Sequence, residues 1–405
     1  MKIAVLGYGT VGSGVVEVLE ANQDVIAKRA GHKIEVKYVL DLRDFPDDPI
    51  QEKVVHDYDV ILNDPSVEMV VEVMGGVEPA NTFVKEALLN KKSVVTSNKA
   101  LVAKCGADLL KTAKENHVNF LFEASVGGGI PIIRALGSSL TADKIEKISG
   151  ILNGTTNYML TKMFYEGADY AEVLKEAQAN GFAEADPTAD VEGYDACRKI
   201  AILSSIISER MVDFEEIYTE GISKVTVEDM LYAKALNKVI RLLGKCEYNV
   251  GKLSAVVAPH MVGMDHPFYG VNGVFNAVLV KGNMLGDAMF YGSGAGKLPT
   301  ASAVVADIVA AAANEGKDIM NFWSEEKLEL EAIEDTKKRF FVRVTGDEKE
   351  LKDKIMEDFG KVEFVHPEGL KGEFGFVTPM MAEGEYDKKA ASYPQFAHMI
   401  RLEEE

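Results

Sequence analysis

The residues best placed to do chemistry lie between 181 and 199. Gly181-Phe182-Ala183-Glu184-Ala185-Asp186-Pro187 is followed by Asp190-Val191-Glu192-Gly193-Tyr194-Asp195 and then by Lys199. Asp195 and Lys199 are spaced i,i+4, so they share one face of a helix. That helix is expected to start near Gly193 and to run through Ile200, Ala201, Leu203, Ile206 and Ile207. Glu184 stands in the loop just before it. Two carboxylates beside an ammonium, close to an apolar helix, can hold a substrate hydroxyl and pass a proton. The same spacing also suits a solvated surface pair. An upstream helix is expected from a capping box at Asp169 and Glu172 to a stop at Asn180-Gly181.

A second chemical element opens the chain. Lys2 to Gly7 reads as a short buried strand, and Gly7-Tyr8-Gly9-Thr10-Val11-Gly12 leads into a helix through Val15, Val16, Val18 and Leu19. A G-x-G-x-x-G between a strand and a helix lets backbone approach a pyrophosphate, whose charge the helix N-terminus favours. The next strand, about Ile34 to Leu40, ends in Asp41-Leu42-Arg43-Asp44. An acid there takes the ribose hydroxyls of NAD, and an arginine takes the 2′-phosphate of NADP. Both residue types stand within three positions, which leaves both cofactors open.

These two elements need a scaffold. Val67 to Met74, Ser93 to Thr96 and Asn119 to Phe122 read as further strands, with a helix from Pro79 to Leu89 between the first two. This alternation implies a parallel, doubly wound sheet, with ligands beyond the carboxyl ends of its strands. Lys99 and Glu123 both fall there, although a lysine at a strand end also serves as plain surface charge. From about Lys144 the period changes to a strand, which runs into Asn153-Gly154-Thr155-Thr156-Asn157-Tyr158 at a helix start. That start suits a polar ligand or simply a cap. Val274 to Lys281 reads as a strand before the glycine cluster 292–296. The Ala- and Val-rich helix Thr300 to Ala313 is expected to be buried and to pack back on the first domain. After Trp323 a Glu- and Lys-rich linker is expected. Beyond it, 339–402 follow a βαββαβ order, which implies a small ferredoxin-like sandwich.

Composition bounds the rest. A chain of 405 residues with net charge −20 is poorly suited to nucleic acid or to anionic membranes. No stretch has the roughly 18 apolar residues that a membrane span requires, and the N-terminus reads as carrying no signal peptide. Cys105, Cys197 and Cys246 are too few and too scattered for a disulfide framework or zinc site, which fits a reducing cytoplasm.

Taken together, the glycine loop, Ser97-Asn98-Lys99, the run Glu123 to Pro131, the segment Gly150 to Tyr158 and the stretch Gly181 to Lys199 resemble homoserine dehydrogenase from Met1 to about Ala313. The resemblance implies an α/β chain in three parts. A Rossmann-type doubly wound parallel sheet spans 1–133 plus about 298–322. An α+β catalytic and dimerisation domain spans 134–297, and a small ferredoxin-like, ACT-like domain spans 335–405. It implies NAD(P)-dependent, reversible reduction of L-aspartate 4-semialdehyde to L-homoserine. Lys199 would donate the proton, Lys99 would hold and polarise the substrate, and Glu184 and Asp195 would bind its ammonium or hydroxyl end. Cofactor contacts would come from Gly7, Gly9, Thr10, Val11, Gly12, Arg43, Lys99, Gly181, Glu184 and Gly294. A sodium ion would take oxygens from Glu123, Val126, Gly128 and Ile130. A homodimer or higher homo-oligomer, acting on a small molecule and apart from nucleic acid and membrane, is expected. So is the monofunctional form of the enzyme. The ACT-like part departs from the usual Asp-Arg-Pro-Gly turn, carrying Gly346-Asp347-Glu348-Lys349 instead. Two rival readings are a non-catalytic nicotinamide sensor and another NAD(P) reductase, such as an aspartate dehydrogenase-like enzyme. The lysine facing Asp195 argues against the first, and the segments 153–158 and 181–199 argue against the second.

Overall fold

The computed structural model describes residues 1–249 and 251–404; Glu405, the last residue of the expected 335–405 module, lies outside them. Six parallel strands form the first sheet: β1 (Lys2–Leu6), β2 (Glu35–Leu40), β3 (Val54–Val55), β4 (Val67–Glu72), β5 (Ser93–Thr96) and β6 (Phe120–Leu121). Their order is β3-β2-β1-β4-β5-β6, and every pairing is parallel. Ile3 to Leu6 are wholly buried, as a parallel sheet covered on both faces requires. Helix α1 (Thr10–Ala21) follows β1, and α2 (Lys99–Glu115) follows β5. The helix expected through Val15 to Leu19 ends at Ala21, and after Asn22 a second helix covers Gln23–Ala30 before β2. β6 is shorter than the strand expected over Asn119 to Phe122. The chain turns there because the Glu123 N–H donates to Asp307 Oδ2 at 2.8 Å.

The second sheet has ten strands among the described residues, one of them the short Tyr218–Thr219 that pairs with Val256–Val257. β7 (Ile145–Ile151) is followed by helices α3 (Gly154–Glu166) and α4 (Tyr194–Ser208). Then come β8 (Lys238–Asn249), β9 (Lys252–Gly263), β10 (Phe275–Gly282) and β11 (Gly286–Ser293). The twelve-residue strands β8 and β9 were not expected. Leu242, Leu243, Val256 and Val257 are all buried, so both faces of the hairpin are apolar and no alternation marks it in the sequence. Helix α5 (Lys297–Ala313) begins three residues before the expected Thr300 and carries Pro299 inside its first turn. It does return to the first sheet. A Cβ on Gly14 of α1 would lie 2.9 Å from the Lys297 carbonyl oxygen and 3.0 Å from Ala301 Cβ.

The stretch expected to be a linker is docked. Trp323 is buried, and its ring fills the space where a Cβ on Gly106 would sit, 2.5 Å from Cζ2. Ser324–Lys327 then pairs in parallel with Arg210–Met211. The C-terminal part comprises β12 (Phe340–Thr345), α6 (Glu348–Phe359), β13 (Glu363–Val365), β14 (Glu373–Val377), α7 (Glu383–Ala390) and β15 (Phe396–Glu403). Its four strands run in the order β15-β12-β14-β13, all antiparallel. One face packs Phe340, Val342, Phe374 and Phe376 against Ile355, Phe359 and Tyr386 of the two helices. Asp347, in the turn that departs from the usual pattern, caps α6 by accepting from the Lys349 N–H.

Strand β15 is longer than expected and also pairs in parallel with β9, so the two parts share one sheet. Charge fixes that junction. The buried Glu403 accepts from Lys147 on β7 at 2.8 Å and pairs with Lys245 on β8. Arg401 beside it donates to Glu383 and Glu220. No helix among the described residues is long and apolar enough to cross a membrane.

Burial alone would raise the Glu403 carboxyl, but Lys245 and Lys147 hold it well below the usual carboxylate range. Its stabilisation is therefore complete above the unfolded value of about 4.3 and is lost as pH falls below it. Glu403→Gln is expected to cost about 3 kcal/mol at pH 7, since it leaves two lysines without their counter-charge. Denaturant unfolding should also show a weaker loss of stability on acidification in the variant than in the parent chain.

Candidate active site

Gly193 has a φ of +82°, a conformation that glycine adopts at little cost, and it turns the chain into α4. Asp195 lies in the first turn of α4 and Lys199 in the second, both buried. The helix can descend this far because the sheet beneath it is thin. Gly150 of β7 and Gly244 of β8 face each other across the ladder. A Cβ on Gly244 would lie 2.9 Å from Leu152 Cδ1 and 3.4 Å from Ile200 Cβ.

At the end of β7, Lys199 Nζ donates to the Leu152 carbonyl at 2.7 Å and to Asp195 Oδ2 at 2.7 Å. Lys99, the first residue of α2, crosses from the first sheet and pairs with Asp195 Oδ1. Asn153 Nδ2 donates to Asp195 Oδ2 at 3.0 Å and to Asp190 Oδ1 at 2.7 Å. Asn153 Oδ1 caps α3 by accepting from the Thr156 N–H at 2.9 Å. One carboxylate thus serves two ammonium groups. The Lys99 side chain is 43% exposed and that of Lys199 only 9%, so the two lysines meet solvent and protein interior respectively.

Burial would raise the Asp195 carboxyl, yet Lys199 and Lys99 hold it well below its ordinary range. Burial pushes the Lys199 ammonium down, the charge of Lys99 adds to that, and Asp195 opposes it. Burial pushes Asp190 up. Asn153 and Asp190 were not among the expected site residues. The signal for each was present: an Asn at a helix start, and one more acid within the 181–199 run.

The structure does not bring Glu184 into this cluster. Among the described residues its carboxylate makes none of the cluster's hydrogen bonds or ion pairs; the residue is exposed, and its carbonyl accepts from Gln178 Nε2 at 3.1 Å. Gly181, with φ +73°, follows the end of the helix Tyr170–Ala179 as expected. The capping box does not form. Asp169 caps the Ala171 N–H alone, without a return bond from Glu172.

At the glycine loop, a Cβ on Gly12 would fall 2.0 Å from the Gly7 carbonyl oxygen, so α1 presses directly on the loop. A Cβ on Gly9 would meet nothing within 4 Å, which leaves open space in front of the loop. Thr10, Val11 and Gly12 form the first turn of α1, where backbone N–H groups have no partner within the helix. A cleft of about 530 Å³ opens here, lined by Gly7, Gly9, Asp41, Arg43, His56 and Met74 among others. This cradle fits a dinucleotide. Asp41 Oδ2 accepts from the Tyr8 N–H at 2.8 Å, and Arg43 Nε and Nη2 each donate to Asp41 at 2.9 Å.

In the Glu123 loop, the buried carboxylate accepts from the Ile133 and Arg134 N–H groups at 2.8 and 2.7 Å. Burial, with Asp307 nearby, pushes it up to about 7. Val126 and Ile130 are buried, and the Ile130 carbonyl accepts from the Ile132 N–H. Gly128 and Gly294 have a packing reason of their own. A Cβ on Gly128 would lie 2.3 Å from the Gly294 carbonyl oxygen, and one on Gly294 would lie 1.9 Å from Asn276 Nδ2.

A dinucleotide cradle on one sheet, joined through Lys99 to proton-bearing groups on another, defines a nicotinamide-dependent dehydrogenase. Residues 7–123 match the family model described as the NAD binding domain of homoserine dehydrogenase, and residues 131–309 match that of homoserine dehydrogenase itself. The homoserine dehydrogenase of Bacillus subtilis is 47% identical over 321 residues, covering 78% of this chain and 73% of that protein. The crystal structure of a homoserine dehydrogenase from Thiobacillus denitrificans superposes with a TM-score of 0.91 at 36% identity, covering 100% of this chain and 98% of that one. A hyperthermophilic archaeal homoserine dehydrogenase in complex with NADPH gives a TM-score of 0.64 at 29% identity, over 76% of this chain and 97% of that one. The chain belongs to the homoserine dehydrogenase family, and its activity is that family's nicotinamide-dependent oxidoreductase chemistry.

The two glycines separate folding from binding. Gly12→Ala is expected to cost about 2 kcal/mol or more, because the added Cβ meets backbone. Gly9→Ala should leave the unfolding midpoint unchanged and weaken NADPH binding about tenfold, roughly 1.4 kcal/mol, as read by fluorescence titration.

Proposed function

We propose that this chain interconverts L-homoserine and L-aspartate 4-semialdehyde with Lys199 as the group that moves the proton. The observation that carries this reading is the grip of Lys99 and Lys199 on the single buried carboxylate of Asp195. An ammonium has three donors, and Leu152 and Asp195 take two of them on Lys199. The third is left for a substrate oxygen. During reduction that oxygen becomes negative and takes the proton; during oxidation a neutral Lys199 removes the hydroxyl proton. The bound nicotinamide supplies or accepts the hydride. Lys99 adds positive charge at the same place. Asp195 orients Lys199, and Asp190 offers a carboxylate for the substrate's ammonium.

For the cofactor we favour NADP. The Asp41 carboxylate is already occupied by the Tyr8 N–H and Arg43, so it is poorly placed to take ribose hydroxyls, whereas the exposed Arg43 guanidinium suits a 2′-phosphate. The archaeal relative bound to NADPH supports this choice. The remaining cofactor contacts follow the glycine loop, with Lys99, Glu184, Gly181 and Gly294 toward the nicotinamide. Glu123 with the carbonyls of Val126, Gly128 and Ile130 is an all-oxygen set suited to sodium; each Glu123 oxygen carries one N–H bond and keeps a lone pair free. We assign 1–133 with about 298–322 to dinucleotide binding, 134–297 to catalysis and dimerisation, and the ACT-like module 335–405 to effector control. Three unpaired cysteines suit the cytoplasm.

Lys199→Ala should lower turnover about 10²- to 10⁴-fold with NADPH binding retained. Because burial depresses Lys199, homoserine oxidation should speed up as pH rises through its value, semialdehyde reduction should slow over the same range, and both trends should vanish in the variant. Near-full turnover in Lys199→Ala would end this assignment. Arg43→Ala should raise KM for NADP about tenfold and leave NAD little changed, a charged hydrogen bond being worth about 1.5–3 kcal/mol. The same rate assays, with sodium exchanged for choline and with threonine present or absent, test the ion and the effector role; sedimentation at micromolar concentration tests the dimer.

A further inference from the structure

Glu72 ends β4 and is wholly buried, with no ion pair to any described residue. A lone buried carboxylate is costly unless its lone pairs are filled. Here four donors fill them. The Met74 N–H at 2.8 Å, the Gly75 N–H at 3.4 Å and Asn98 Nδ2 at 3.4 Å approach Oε1, and the Thr96 hydroxyl donates to Oε2 at 2.6 Å.

These donors belong to two different strand ends. Val73 and Met74 form a wall of the dinucleotide cleft and pack on the glycine loop; a Cβ on Gly7 would lie 3.1 Å from Met74 Cγ. Asn98 is the N-cap of α2. Its Oδ1 accepts from the Leu101 N–H at 3.1 Å, and its Nδ2 donates to the Gly76 carbonyl at 2.6 Å. Its own N–H donates to Thr96 Oγ1 at 2.9 Å. The next residue is Lys99, whose ammonium reaches Asp195.

We propose that Glu72 is a positioning residue, tying the cofactor-facing loop 73–76 to the cap of α2 so that Lys99 is aimed at Asp195 only when the dinucleotide wall is in place. The inference rests on the reading of Lys99 as a substrate-side cation. Glu72 touches neither substrate nor hydride; it acts through Asn98 and the loop. Burial pushes its carboxyl up, and the four donors oppose that shift.

The test is a double-mutant cycle on the full-length enzyme. Glu72→Gln keeps size and removes charge; Thr96→Val removes the donor to Oε2 together with the acceptor of the Asn98 N–H, and serves if Glu72→Gln does not fold. Each is combined with Lys99→Ala, and kcat, KM for homoserine and Kd for NADPH are measured. Glu72→Gln is expected to lower kcat about ten- to hundredfold, the usual effect of a displaced catalytic group, and to weaken NADPH binding severalfold. In the Lys99→Ala background the kcat effect should disappear, while the effect on NADPH binding persists. Equal kcat losses in both backgrounds, or a lower Tm with unchanged kcat, would overturn the positioning role. Full activity of Lys99→Ala alone would instead overturn the reading of Lys99, and the inference with it.

Discussion

The buried carboxylate of Asp195 is the constraint around which the site is built. An isolated charge in a protein interior is strongly unfavourable, and even a paired one needs its remaining lone pairs satisfied. Asp195 meets this condition with Lys199 from its own helix, Lys99 from the first sheet and the Asn153 amide at the end of β7. Each partner comes from a separate element, so the three elements can close only in one arrangement. Removing either lysine would take one ion-pair partner from the buried carboxylate, and removing the aspartate would leave two ammonium groups facing each other.

That arrangement depends on close backbone approach. Gly150 and Gly244 thin the sheet below α4, Gly12 lets α1 press on the glycine loop, and Gly14 lets α5 lie against α1. Gly128 and Gly294 bring the 127–129 and 293–295 loops into direct backbone contact. Cleft walls from distant parts of the sequence are therefore held by rigid packing, and flexible side chains have little part in it.

The sequence makes the local part of this legible. The Asp195–Lys199 face follows from helical spacing, the cradle at 7–12 from its strand–loop–helix context, and the C-terminal βαββαβ module from the succession of its elements along the chain. What escapes is what local pattern cannot encode. The pairing of Lys99 with Asp195 joins residues 96 positions apart. The β8–β9 hairpin is buried on both faces, so it has no period-2 signature. The Glu- and Lys-rich segment after Trp323 reads as solvated linker because its acids and bases meet partners far away, as Glu325 meets Lys111. Glu184 shows the converse: proximity in sequence to Asp195 does not place its carboxylate in the cluster.

The junction at Glu403 carries an evolutionary corollary. Lys147 and Lys245 are tolerable inside the second sheet because the last strand brings them an anion. A homologue without this C-terminal part would have two lysines on β7 and β8 without that anion. Substitutions at positions 147, 245 and 403 should therefore be inherited as a set, with uncharged residues at the first two wherever the third is missing.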